Sequence, residues 1–236
     1  MSAGEGQSLQ AQRALETLCR TYWYPLYSFI RREGYTTEDA KDLTQAFFAR
    51  LLESHSLAAV APQKGKFRSF LLAALNHFLV DEARRAKAQK RGGGETIISL
   101  DDLEAENRYA LEPVSDLAPE KIFDQGWALA MLDRAMARLR EEFAKAGKRR
   151  HFELLRQFLE CETSDGAYAQ AAGQLQTSTG TVAVLVHRLR QRYRELVREE
   201  VAHTVSRPGE VEEELQYLLA VLRTAGITTR PSSSQS

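Results

Sequence analysis

Residues 64–91, KGKFRSFLLAALNHFLVDEARRAKAQKR, admit one regular structure. Phe67, Phe70, Leu71, Ala74, Leu75, Phe78 and Leu79 recur at i, i+3, i+4, i+7, i+8, i+11 and i+12, the core-facing stripe of a single long helix. At about 100° per residue, Ser69, Ala73, Asn76, His77, Val80, Arg84 and Lys87 gather on the opposite side, roughly 180 to 280° from Phe67. That face begins with short side chains and ends cationic. Eight basic residues against Asp81 and Glu82 give the stretch a net charge of +6, although the whole chain, with 32 basic and 32 acidic residues, is neutral. A solvated helix with a charged end would show the same pattern, so its meaning depends on its company.

The totals narrow the class. A chain of 236 residues, 43% hydrophobic and 27% charged, has room for two small cores. Cys19 and Cys161 lie far apart without a CxxC pattern, which suggests neither a disulfide framework nor a zinc site and points to a reducing cytoplasm. No apolar run approaches the ~20 residues that span a bilayer. The opening MSAGEGQSLQAQRA lacks the basic-then-apolar order of a signal peptide, so a cytoplasmic protein is expected. Five scattered histidines with no HExxH, Walker loop or GxSxG leave an enzyme without support, and no catalytic, metal or cofactor site is expected.

Taken in order, residues 1–14 read as disordered. Residues 15–32 are aromatic-rich and helical in pattern, with Pro25 expected to start or kink a turn and Gly34 to stop the segment. Thr36 to Asp39 have the hydroxyl-x-x-acid order of a capping box opening the next helix. On that helix Asp39, Asp42 and Gln45 share an exposed side, either plain solvation or an acidic docking surface. Pro62 and Gly65 punctuate a break over residues 57–65, and Gly92 to Gly94 end the organising helix. Residues 95–124 then carry nine acidic residues against Arg108 and Lys121, a net of −7, with Pro113 and Pro119. The composition is that of a linker, serving as a spacer or as the occupant of a basic channel.

A second helical unit follows, with Leu129, Leu132, Met136, Leu139 and Phe143 at helical spacing and Phe152, Leu155, Phe158 and Leu159 turned inward after Gly147. Residues 167–200 then carry a short helix through Ala169, Ala172 and Leu175, a break at Gln176, Thr177 and Ser178, and a long helix capped by Ser178. This is a helix-turn-helix pattern, with Ala172 and Val182 where the two helices approach. In the second helix Val182, Leu185, Val186, Leu189, Tyr193 and Leu196 point inward, while Ala183, Val184, His187, Arg188, Gln191 and Arg194 point out. Five arginines against Glu195 give residues 186–198 a net of +4. Such a helix can lie in a DNA major groove, its first half at the bases and its arginines over phosphates. After Pro208 and Gly209 comes a short amphipathic helix with Val211, Leu215, Leu218, Leu219 and Leu222 on one side, expected to fold back on the second domain or else to offer that stripe to a partner.

This order of parts resembles bacterial RNA polymerase sigma factors of the extracytoplasmic-function type, over roughly Leu15 to Glu200. Thr37 to Phe48 are similar to the segment that binds the clamp helices of the polymerase beta-prime subunit, which implies contacts from Asp39, Asp42, Leu43, Gln45 and Phe48. Gly65 to Leu71, Asn76, Asp81, Arg84 and Arg85 are similar to the helix that reads and opens the minus-10 element. The implied DNA contacts there are Lys66, Arg68, Ser69, Asn76, His77, Arg84, Arg85 and Lys87. The helix-turn-helix resembles the region that reads the minus-35 element, implying Thr179, Thr181, Ala183, Val184, His187, Arg188, Gln191 and Arg194.

The architecture implied is all-α: a region 2 domain over 15–91, an acidic linker over 92–124, a region 4 domain over 125–203, a helical extension over 204–222 and a disordered tail over 223–236. Implied partners are core RNA polymerase, through the beta-prime clamp helices and the beta subunit, promoter DNA both double- and single-stranded, and an anti-sigma factor, with no membrane and no cofactor. Three departures stand out. Gln176 occupies a turn position that commonly holds glycine, where a left-handed residue is costly. Ala171 replaces a larger aliphatic. Ala183, Val184 and Leu185 stand where polar or basic residues are frequent in the reading helix. A free-standing helix-turn-helix regulator is the alternative; it accounts for residues 166–198 but leaves the organising helix without a role.

Overall fold

The structure is a computed structural model of the chain that describes residues 19–53, 66–88, 109, 118–160 and 165–225. Among the described residues every regular element is a helix, so the all-α expectation holds. They form two compact units, one drawn from Met1–Ala130 with Thr204–Glu210, the other from Met131–His203 with Val211–Ser236.

The first unit contains α1 (19–32), α2 (Thr37–Glu53), α3 (Phe67–Ala88) and the first turns of α4 (Pro119–Lys145). Helix α1 continues through Pro25, where the sequence predicts a start or a kink, and stops at Gly34 in the left-handed region (φ 92). Pro25 is buried against α4: a Cβ on Gly126 would lie 3.2 Å from the Pro25 Cα, so glycine lets the two backbones approach. Helix α2 starts as its sequence specifies. The Asp39 N–H donates to the Thr36 hydroxyl oxygen (3.1 Å), and that hydroxyl donates to the Asp39 carboxylate (2.8 Å).

An aromatic cluster fills this core. Tyr22 stacks on Trp127 (4.1 Å between centroids), Phe67 meets Tyr22 edge-on (5.8 Å), and Phe47 meets Phe78 (5.6 Å). Two of these rings interlock only because α4 begins six residues inside the stretch read as linker. Residues 119–124 are helical, and Ile122, Phe123 and Asp124 are buried. Their acids made the segment look solvated; the i, i+4 pair Phe123 and Trp127 makes it core. Apart from Tyr109 and Ala118, the rest of the linker with the glycines at 92–94 lies outside the described residues, as do residues 57–65 and 1–14. Residues 223 and 224, expected in the tail, are the last of helix α9 (Glu210–Thr224); residues 226–236 also lie outside the described residues.

The start of α3 is held from inside. Arg68, 8% exposed, makes an ion pair with Asp124, 3% exposed, across 56 residues of sequence. Beside it the Phe67 N–H, an orphan donor of the first helical turn, donates to the Thr204 carbonyl (2.8 Å).

The second unit holds the rest of α4, then α5 (Arg149–Leu155), α6 (Gln157–Glu160), α7 (Asp165–Leu175), α8 (Thr179–Ala202) and α9. On α4 the buried stripe is Met131, Ala135 and Leu139, with Leu132, Met136 and Phe143 half-buried beside it, so the expected stripe is rotated by about one residue. Helices α7 and α8 form the helix-turn-helix, with Ala171, Ala172, Val182, Val186, Leu189 and Leu196 in one cluster. Gln176 has φ 52, the left-handed turn residue its position implied, and the Thr177 N–H donates back to Ala172 (3.0 Å). Ser178 caps α8, accepting from the Thr181 N–H (3.1 Å).

Arginine–glutamate pairs lock α4 to α8. Glu200, 3% exposed at its side chain, receives Arg134 (2.6 Å) and Arg138 (2.8 Å). Arg192 binds Glu142 (2.7 Å), Glu195 (3.0 Å) and Glu199 (3.2 Å), and Arg138 also reaches Glu199. The hydrogen bond from Arg192 holds the Glu142 carboxyl below its ordinary 4.5, and that from Arg138 does the same for Glu199. Depressed carboxyls contribute stability that is full above the ordinary value and is lost as pH falls through the folded one.

Removing one member of the Arg68–Asp124 pair leaves a buried charge uncompensated, a loss of about 3–5 kcal/mol for pairs of this kind. Asp124→Ala is therefore expected to lower the stability of the first unit strongly in denaturant melts, while Arg68→Met with Asp124→Leu recovers most of it. In the second unit, stability should decline as pH drops below the ordinary carboxyl value of 4.5, and Arg192→Met should make that decline shallower in thermal melts across the acid range.

Candidate nucleic-acid interface

Two helix faces, one in each unit, carry the chemistry. On α3 the side chains of Leu71, Leu75, Phe78 and Leu79 are buried, which fixes the rotation of the helix and turns Ser69, Ala73, Asn76, His77, Val80 and Arg84 outward. Arg85 is exposed too and pairs with Glu82 one turn back (2.7 Å). Asp81 is bound to Arg50 of α2 (3.0 Å), so the acids within this stretch are partly spent on internal pairs. Lys66 sits half-buried at the mouth of the helix, and the Lys87 side chain lies outside the described residues.

Arg68 is corrected from a DNA contact to a buried residue. The family resemblance implies a DNA contact here, but the helix rotation that buries Leu71 and Leu75 turns the side chain inward to Asp124. A guanidinium desolvated and paired in this way holds the helix in place and does not reach a phosphate.

On α2, Asp39, Asp42 and Gln45 are exposed together with Glu38, an acidic surface as the sequence suggested. Leu43 is half-buried. Phe48 is corrected from a surface contact to a core residue: it is buried and stacks on Trp23 (6.0 Å), so it supports this face from behind.

On α8 the eight residues singled out from the sequence, Thr179, Thr181, Ala183, Val184, His187, Arg188, Gln191 and Arg194, are all exposed. The basic character of the helix is narrower than its charge count implied. Arg190 donates twice to the Phe158 carbonyl (3.1 and 2.9 Å), Arg192 is held by three glutamates, and Arg198 pairs with Glu212 of α9. Three of the five arginines thus build the unit, and Arg188 and Arg194 stay with the exposed face.

Sequence reasoning missed Asp124, Trp127 and Glu200, the residues that hold these faces in position. The spacing Phe123/Trp127 was a readable signal; nothing local marks Glu200 as buried. Cys19 is half-buried, and burial pushes its thiol above the ordinary 9.0, the opposite of an activated nucleophile. Among the described residues no group of three or more His, Cys, Asp or Glu could hold a metal ion, and no helix is long and apolar enough to cross a membrane.

Comparison with curated proteins and with solved structures gave no match. A family model described as ECF sigma factor matches residues 14–199 of the 236, a span that takes in the α2, α3 and α8 faces together. The chain therefore belongs to the ECF sigma factor family, whose members act in transcription initiation.

Proposed function

We propose that the protein binds core RNA polymerase through the acidic side of α2 and opens promoter DNA on the exposed face of α3, while α8 reads the upstream element in the major groove. The observation that carries this reading is the α3 face itself. Short polar side chains, Ser69 and Asn76, stand exposed in its first half and Arg84 and Arg85 in its second.

Melting a promoter without ATP requires a base to leave the stack, which costs a few kcal/mol. A protein offsets that cost only by binding the single strand better than the duplex. Ser69 and Asn76 leave room for an unstacked base and can hydrogen-bond its edge, with His77 alongside. Lys66, Arg84, Arg85 and Lys87 supply the backbone contacts. On α2, Asp39, Asp42 and Gln45 suit a basic partner helix such as the beta-prime clamp, with Leu43 at the edge of the contact. On α8, Thr179, Thr181, Ala183, Val184, His187, Arg188, Gln191 and Arg194 form the reading surface, and the acidic stretch ahead of α4 suits a basic polymerase channel beside the beta subunit. These roles place the protein in the cytoplasm. An anti-sigma factor that covers the α2 or α3 face would control it.

A free-standing regulator would need only α7 and α8. Because the family match takes in α2 and α3 as well, the polymerase-dependent reading is preferred.

The test uses core polymerase and a promoter carrying 2-aminopurine in the minus-10 element. The wild-type protein is expected to co-elute with the polymerase and raise the fluorescence. Asp39→Ala with Asp42→Ala should lose co-elution while keeping its helical signal. Asn76→Ala should keep the closed complex and lower the fluorescence amplitude. Opening that is unchanged in both variants would contradict the assignment.

A further inference from the structure

Two large hydrophobic side chains stand out as exposed among the described residues, Val80 and Val184, each 50% accessible. Val184 lies on α8, and its surroundings make that exposure informative. At about 100° per residue, Gly180 one turn before it and Arg188 one turn after lie within about 40° of its direction, with Thr181 and His187 about 60° to either side. All four are exposed. A Cβ added at Gly180 would meet nothing nearer than the Ser178 hydroxyl at 3.8 Å, so the surface over the first turn is low and open. Ala183 is exposed as well and adds only a methyl group. The first two turns of α8 therefore present a shallow, largely apolar patch, with a cationic side chain where the patch ends.

We propose that Val184 is a specificity-determining residue that reads the C5-methyl of thymine in the upstream promoter element. The inference rests on the reading of α8 as a major-groove helix and states what that helix selects. On the major-groove edge of the four base pairs, the thymine C5-methyl is the only methyl group. An isopropyl group offers no hydrogen bond to guanine O6 or N7. Set against the amino group of cytosine or adenine, it would bury a donor without a partner. Against thymine it buries apolar surface on both sides. The short neighbours Gly180, Thr181 and Ala183 let the helix come near enough for contact, and Arg188 next along the face is placed for a phosphate or a guanine. Since Val184 is half exposed and lies outside the buried core cluster, its role can be probed with little effect on the fold.

Uracil in place of thymine deletes that methyl and leaves the hydrogen-bonding edge intact. The experiment measures binding of the full-length protein, in complex with core polymerase, to a promoter whose upstream thymines are replaced by uracil one at a time. A promoter with that element scrambled serves as the control. Wild type is expected to bind about three- to fivefold more weakly when one particular thymine is replaced, as follows from the loss of one buried methyl. Val184→Ala should bind the thymine promoter more weakly by a similar factor and be indifferent to uracil at that position. Val184→Ala with the same thymine-to-uracil ratio as wild type overturns the proposal. So does a wild type indifferent to every replacement but sensitive to the scrambled element, in which case α8 still reads DNA by other contacts. Indifference to the scrambled element as well overturns both the proposal and the reading of α8.

Discussion

The buried pair of Arg68 and Asp124 decides what the first unit shows to the outside. Two charges withdrawn from water are a net cost unless each is fully met by the other, so the pair tolerates little displacement. It completes the rotation that the burial of Leu71, Leu75 and Phe78 sets for α3: Arg68 is also inward, and Ser69, Asn76 and His77 face out. The Phe67 N–H bonded to Thr204 and the Tyr22–Trp127 stack hold the same end of the helix. A helix expected to compete with base stacking has to be rigid where it meets the base, and here the rigidity comes from behind its first turn.

The second unit follows the same logic with more charges. Helix α8 looks uniformly basic, but Arg190 serves the Phe158 carbonyl and Arg192 gathers three glutamates, one from α4 and two from α8 itself. Glu200 in turn is clamped by two arginines of α4. The pairs that are partly exposed are screened and contribute modestly each; what they do collectively is set the direction of α8 relative to α4. The remaining outward surface is short, partly apolar, and basic only at Arg188 and Arg194. Such a face suits base edges at its start and phosphates further along.

What could be read from the sequence was local. The stripe of α3, the capping box at Thr36 and the Ser178 cap follow from spacing and from backbone chemistry within a few residues, and the structure agrees with each. The errors are of another kind. The family resemblance implies contacts from Phe48 and Arg68, but each has a partner in the fold far away along the chain: Trp23 for one, Asp124 for the other. Residues 119–124 were counted as linker because an inventory of acids cannot tell a solvated carboxylate from one waiting for an arginine. For Phe48, Arg68 and residues 119–124 a tertiary partner overrules the local rule. Pro25 is accommodated inside α1 and packs where Gly126 of α4 leaves room for it.

The central claim is that two separately built helix faces, α3 and α8, select a start site together. The most direct test is to map transcripts made by core polymerase plus this protein from a library randomised upstream of a fixed template. The account predicts transcripts that depend on the protein and whose start sites are preceded by two enriched blocks, separated by a constant interval. Starts without sequence preference, or with a single enriched block, would contradict it.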